Sequence, residues 1–100
     1  MPAYLIITAT LTDPSKFAAY ARQVPALVQR HGGRYRVMGG VQETLEGEAD
    51  GTRIVVSEWP DRTAAQAFWH SPEYAELKQL RDGSGSFNVR LVDVLPGSPE

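Results

Sequence analysis

Tyr4, His31, Arg36 and Glu58 are the side chains of this chain whose types could together perform acid–base chemistry. Arg36 offers a planar fork of donors suited to a small carboxylate or an enol. Glu58 is a general base if desolvation raises its proton affinity, and Tyr4 is a donor to a developing oxyanion. The same residues have a purely structural reading, in which Arg36 and Glu58 form a cross-strand ion pair that closes an interface. His31 ends a helical pattern, where an imidazole suits the helix dipole and bonds terminal carbonyls; its functional role would be acid–base. His70 lies before a helix cap and is a candidate substrate-binding residue or proton shuttle near neutral pH. Arg90, with Asn88, is placed to line the far part of the same surface.

Other chemistries find little support. The chain has no cysteine, which excludes thiolate catalysis, disulfides and Cys-ligated metals. The two histidines lie in separate segments without metal-ligand spacing, so no metal site is expected. No phosphate loop follows a strand: Gly32-Gly33 and Gly39-Gly40 lack the GxxxxGK and GxGxxG frames. Ser57 and Ser71 lack a nucleophile-elbow context. No cofactor is therefore expected. Net charge is −2 without a dense basic stripe, which argues against nucleic acid. The longest apolar run, Tyr4 to Thr10, is too short to span a membrane, and no basic, targeting-type start is visible, so the cytoplasm is the expected location.

The elements that must position these residues follow from periodicity. Leu5, Ile7, Ala9 and Leu11 alternate with Tyr4, Ile6, Thr8 and Thr10 in a first strand, Ala3 to Leu11. Asp13 caps a helix that Pro14 opens, and Phe17, Tyr20, Ala21, Val24, Leu27 and Val28 form its apolar stripe. Pro25 is expected to kink that helix, and His31-Gly32-Gly33 to end it. A second strand is expected from Arg34 to about Glu46, bulged at Gly39-Gly40, with a hairpin turn over Gly47 to Gly51. Thr52 to Trp59 reads as a third strand. Asp61 caps a helix from Arg62 to about Trp69, and Ser71-Pro72 restarts it, with Tyr74, Leu77 and Leu80 on the buried side. Asp82 to Ser86 reads as a flexible loop, Phe87 to Leu95 as the last strand, and Pro96 to Glu100 as a flexible tail.

One hundred residues in this order make one α+β domain, residues 1–100, with the ferredoxin-like βαββαβ layout. Right-handed crossovers give an antiparallel sheet ordered 4-1-3-2 with both helical segments on one face. The third strand is apolar on both faces: Ile54 and Val56 on one, Val55 and Trp59 on the other. A strand wet on one side alternates more cleanly, so the open face is expected to be covered by a second copy, a homodimer. Trp59, Phe68, Trp69 and Tyr74 are expected in the core or the dimer seam, with an aromatic-lined ligand pocket as the other reading.

Specific residues then suggest a family. Thr12-Asp13-Pro14, Val24-Pro25, His31-Gly32-Gly33-Arg34-Tyr35, Gly39-Gly40, Leu45-Glu46-Gly47, Ser57-Glu58-Trp59-Pro60 and Ser71-Pro72-Glu73-Tyr74 occur in order over nearly the whole chain. This series resembles the family called domain of unknown function 1330. The resemblance implies a dimeric α+β barrel, a superfamily that includes cofactor-independent antibiotic-biosynthesis-type monooxygenases, haem-degrading monooxygenases and muconolactone isomerases. It brings no agreed catalytic residues. Trp69-His70 stands where many members carry an aromatic followed by Asn or Asp, so a role for His70 would belong to this protein alone. The leading expectation is a small-molecule enzyme or binder doing proton transfer or cofactor-free oxygenation, with a ligand cleft between sheet and helices. The alternatives are a non-catalytic ligand-sensing dimer and, by superfamily analogy, a haem-binding protein.

Overall fold

A computed structural model describes residues 1–40 and 42–95. The elements run β1 (Ala3–Leu11), α1 (Pro14–Arg30), β2 (Arg34–Met38), β3 (Arg53–Trp59), α2 (Arg62–Trp69), α3 (Pro72–Gln79) and β4 (Gly85–Asp93). The four strands form one antiparallel sheet in the order β2-β3-β1-β4, which is the expected 4-1-3-2 read from the other edge. All helices lie on one face, so the domain has two layers and one open sheet face. No described helix is long and apolar enough to cross a membrane.

Local sequence explains the helix boundaries. The Asp13 carboxylate accepts from the Lys16 N–H, and Pro14 opens α1. The helix runs unbroken through Pro25. At its end Gly32 takes a left-handed φ of 90°, and the Gly32 and Gly33 N–H groups donate to Gln29 and Val28 carbonyls at 3.1 and 2.9 Å. This paired closure satisfies carbonyls that the helix would otherwise leave open. Gly33 is then set under Trp59, where a Cβ would lie 2.7 Å from the indole ring, so only glycine fits there. Between α2 and α3 the Ser71 hydroxyl donates to the Phe68 carbonyl and accepts from the Tyr74 N–H, ending one helix and capping the next. Pro72, at the first turn of α3, has no N–H for the preceding helix to use.

Several expectations are corrected. The second strand stops at Met38 rather than near Glu46, because Gly39 and Gly40 both adopt left-handed φ, 82° and 101°, and the pairing ends with the Gly39 N–H donating to the Ile54 carbonyl at 2.8 Å. Its irregularity is not at those glycines but at Arg36: Tyr35 pairs with Ser57 and Val37 with Val56, so one extra residue is accommodated. That residue reverses the parity of the strand, and Met38 falls on the helix face instead of sharing a face with Arg36. β3 begins at Arg53, and β4 runs Gly85–Asp93 rather than Phe87 to Leu95. Leu80 caps α3 and is 39% exposed, outside the core. The loop expected to be flexible is tied down at Ser84, whose carbonyl accepts from the Thr12 and Asp13 N–H groups. The expected tail, 96–100, lies outside the described residues, as does residue 41 of the expected long second strand.

The core gathers where α1, α2 and α3 meet the sheet. Leu5, Val24, Leu27, Val28, Trp59, Ala65, Phe68 and Tyr74 are all buried. The Trp59 and Phe68 ring centroids are 4.9 Å apart, and Phe68 and Tyr74 are 4.6 Å apart. The Trp59 indole N–H donates to the buried Ser57 hydroxyl at 2.9 Å, so the one polar atom of the indole is satisfied in the interior.

Candidate functional site

The sheet separates two groups of polar residues. On the open face, Tyr4 pairs in register with Glu58 and Arg34 with Glu58. The Arg36 Nε lies 3.0 Å from Glu58 Oε1, and Arg34 Nη2 lies 3.6 Å from the same oxygen. Two guanidinium groups thus face one carboxylate. Glu58 Oε1 is buried beneath them, yet it accepts no well-aligned hydrogen bond. The contact with Arg36 is therefore mainly Coulombic, and both arginines remain half or more exposed, which limits its strength. Arg90 pairs with Ile6, and Asn88 with Thr8, on the opposite side of β1. The structure thus brings Tyr4, Arg36 and Glu58 together and places Arg90 on the same face, on edge strand β4 next to β1.

The histidines are elsewhere. The His31 Nδ1 lies 3.1 Å from the Leu27 carbonyl, and its ring meets Phe68 edge-on at 5.8 Å, on the helix side of the sheet. His70 is exposed at the C-cap of α2, beside a surface groove shared with Trp69, Ser71 and Lys78. Neither imidazole reaches Glu58's face of the sheet.

On the helix side lies a cavity of about 240 Å³. Its floor is the inward face of β1, with Leu5, Ile7, Ala9 and Leu11, continued by Val55, Phe87 and Val89. Its roof is α1 with Phe17, Tyr20, Val24 and Val28, and one end is closed by Phe68, Trp69 and Tyr74. The outward-turned Met38, 62% exposed, and the exposed Arg53 line the other end. The alternation that makes β1 a two-faced strand therefore also makes the cavity floor apolar.

Polar groups in this cavity are few. The Tyr20 and Tyr74 hydroxyls are 2.8 Å apart. Tyr35, from β2, adds a third phenol. Arg81 is only 9% exposed, and its guanidinium carbon sits 3.9 Å from the Phe87 ring centroid and 5.4 Å from that of Tyr20. The turn after α3 holds it there: the Ser84 hydroxyl and N–H donate to the Arg81 carbonyl at 2.6 and 3.0 Å. The sequence puts Tyr20 on the apolar stripe of α1 and Tyr74 in the core or the dimer seam, with an aromatic-lined pocket as the other reading, and assigns Arg81 no role. An arginine following a helix reads as a solvated charge, and only the clamp at Ser84 turns it inward.

Burial, and secondarily the neighbouring Tyr74 phenol, raises Tyr35 from 10.0 to about 12 and pushes Tyr20 higher still. Below pH 10 these phenols are neutral in both the folded and the unfolded chain and contribute no pH dependence. Above pH 10 the unfolded chain releases protons that the folded chain retains, so stability falls, through about pH 12 for Tyr35 and beyond it for Tyr20. Urea denaturation between pH 9 and 11.5 is expected to show this decline, with a shallower slope in Tyr20→Phe. An unchanged slope in that variant would remove Tyr20 as its source.

With this geometry in place, known proteins provide context. The family described as Domain of unknown function (DUF1330) matches residues 2–95. No curated protein matches the sequence. Among solved structures, a protein of unknown function from Rhodopseudomonas palustris superposes with a TM-score of 0.78 at 19% identity, covering 96% of this chain and 84% of its own. SnoaB, a cofactor-independent oxygenase from Streptomyces nogalater, gives 0.67 at 15% identity, covering 99% and 98%. An antibiotic biosynthesis monooxygenase gives 0.60 at 15%, covering 94% and 99%. At these identities the likeness is one of fold.

Proposed function

This chain belongs to the DUF1330 family, and on that premise we propose that it binds and transforms a small, enolisable or aromatic compound in the helix-side cavity. The observation that carries this reading is the cavity itself: about 240 Å³ of largely apolar space whose polar lining is three phenols, the Ser57 hydroxyl, one buried arginine and Arg53 at the open end. Apolar cavities of roughly 150 Å³ accept benzene, and drug-sized ligands need about 300–1,000 Å³. A one- or two-ring compound is the matching size.

No carboxylate or imidazole lines the cavity among the described residues, so its groups act as donors rather than as a base. Such a site suits a substrate acidic enough to ionise with help. The substrate gives up its proton to solvent at the open end, and the phenols and Arg81 stabilise the enolate oxygen. Dioxygen takes one electron from the enolate and recombines with the resulting carbon radical to form a C–O bond, protonated from solvent to the hydroperoxide. Fold likeness to SnoaB supports this cofactor-independent oxygenation as the reaction class. The missing base favours one second reading, a ligand-binding accessory protein without turnover. Neither histidine lines the cavity, which leaves the haem reading without a histidine ligand there.

The open face has a different part in this proposal. Ile6, Ile54 and Val56 form an apolar centre on it, flanked by the Arg34–Arg36–Glu58 cluster, and a second copy of the chain covers it. Tyr4, Arg36, Glu58 and Arg90 then belong to the seam of a homodimer, while the chemistry lies on the far side of each sheet.

Oxygen-electrode assays with 2-tetralone, paired with thermal shift, test the cavity. Wild-type protein is expected to be stabilised by the ketone and to consume oxygen. Ile7→Trp, which fills the floor, is expected to fold and lose both responses. Persistent uptake in Ile7→Trp places the reaction elsewhere, and stabilisation without uptake selects the accessory reading.

A further inference from the structure

We propose that the natural occupant of the cavity is a compact, largely apolar monocarboxylate whose charged group lies against Arg81. The inference rests on the reading of this cavity as a ligand site and specifies what it takes. Its basis is an imbalance of charge. Arg53 at the open end and Arg81 inside are the charged residues of the lining, and both are cations. Arg81 makes no salt bridge among the described residues, and its Nε is buried without a hydrogen-bond acceptor.

Its surroundings satisfy only part of the guanidinium. Phe87 and Tyr20 offer it the negative faces of their rings. Stacking of that kind does nothing for the N–H groups in the guanidinium plane, which form a fork matched to the two oxygens of a carboxylate. The acidic groups in the cavity lining are phenols, and burial holds Tyr20 protonated, so the lining supplies no counter-charge of its own. A buried cation without a partner is costly, and an anion entering the cavity removes that cost.

The phenols add a second anchor. Of the two O–H hydrogens of Tyr20 and Tyr74, one is used between the hydroxyls, and the other remains to donate to a ligand oxygen. Arg81 and the tyrosine pair are neighbours, since Arg81 stacks on Tyr20. One carboxylate therefore meets both, while its ring lies over Ile7, Val89 and Phe87.

Calorimetric titration of the full chain with 1-naphthoate and its uncharged isostere 1-naphthamide tests this. The acid is expected to bind at least about tenfold more tightly than the amide, the scale of one charge-assisted hydrogen-bonded contact. Arg81→Met is expected to abolish that preference, weakening the acid more than the amide, and Arg81→Lys to restore part of it. The acid–amide comparison on the unaltered protein decides even if Arg81→Met does not fold. Equal affinity for the two, or tighter amide binding, overturns the carboxylate assignment and leaves the cavity reading intact. Failure of both probes to bind overturns the two together.

Discussion

Trp59→Ala is expected to lower the unfolding free energy by about 3–5 kcal/mol, the range for removing a buried large aromatic. Trp59 is 1% exposed. Its indole spans the space between β3 and Phe68, and the end of α1 closes over it only because residue 33 is a glycine. Truncation leaves a void walled by a rigid ring and a helix cap, neither of which can collapse into it. The buried Ser57 hydroxyl also loses the N–H that it accepts from. Against a total of roughly 5–15 kcal/mol for a domain of this size, that is a large share. Urea denaturation followed by circular dichroism measures it, and a loss below about 1 kcal/mol would mean that the core closes without the indole.

Val56→Asp is expected to leave the protein monomeric, with the fold intact, where the wild type forms the proposed dimer. Val56 faces Ile6 across the ladder on the open side of the sheet, at the middle of central strand β3. In the proposed dimer an aspartate there would be buried in each copy at the apolar centre of the seam, at a cost of several kcal/mol for each ion. In the free monomer the same carboxylate meets water, so folding should survive. Size-exclusion chromatography with light scattering reads the outcome directly. A variant that elutes as the wild type does, or a wild type that is already monomeric, would sink the homodimer. The two predictions are coupled, because the denaturation midpoint of a dimer rises with protein concentration. Trp59→Ala should therefore be compared with wild type at one fixed concentration.

Much of the architecture is legible in the sequence because local chemistry and global fold agree. Period-two alternation marks β1, and the Asp13-Pro14 and Ser71-Pro72 pairs mark the starts of α1 and α3. The second strand was over-read because residues beyond Gly40 carry strand-like propensity, whereas its end is set by the backbone conformation of two glycines, which composition does not reveal. Strand parity also made Tyr4, Arg36 and Glu58 visible as neighbours, since antiparallel pairing converts sequence spacing into contact. The cavity group is invisible to that logic. Tyr20 is on a helix, Tyr35 on an edge strand and Arg81 in a turn, and no periodicity relates them. Only the packing of α1 and α3 over the sheet brings them to one space.

The extra residue in β2 works like a reading frame. Everything after Arg36 in that strand is displaced by one step, which is why Met38, rather than Val37, reaches the entrance. Deleting Arg36 would make the ladder regular without turning either neighbour, since Val37 would still oppose Val56 and Met38 would still oppose Val55, while the ionic cluster would lose a member in the same stroke. Which side chain stands at the doorway is thus set by the partner that each residue keeps on β3. Libraries that vary residue 38 would change ligand access, whereas loss of residue 36 would leave the doorway as it is.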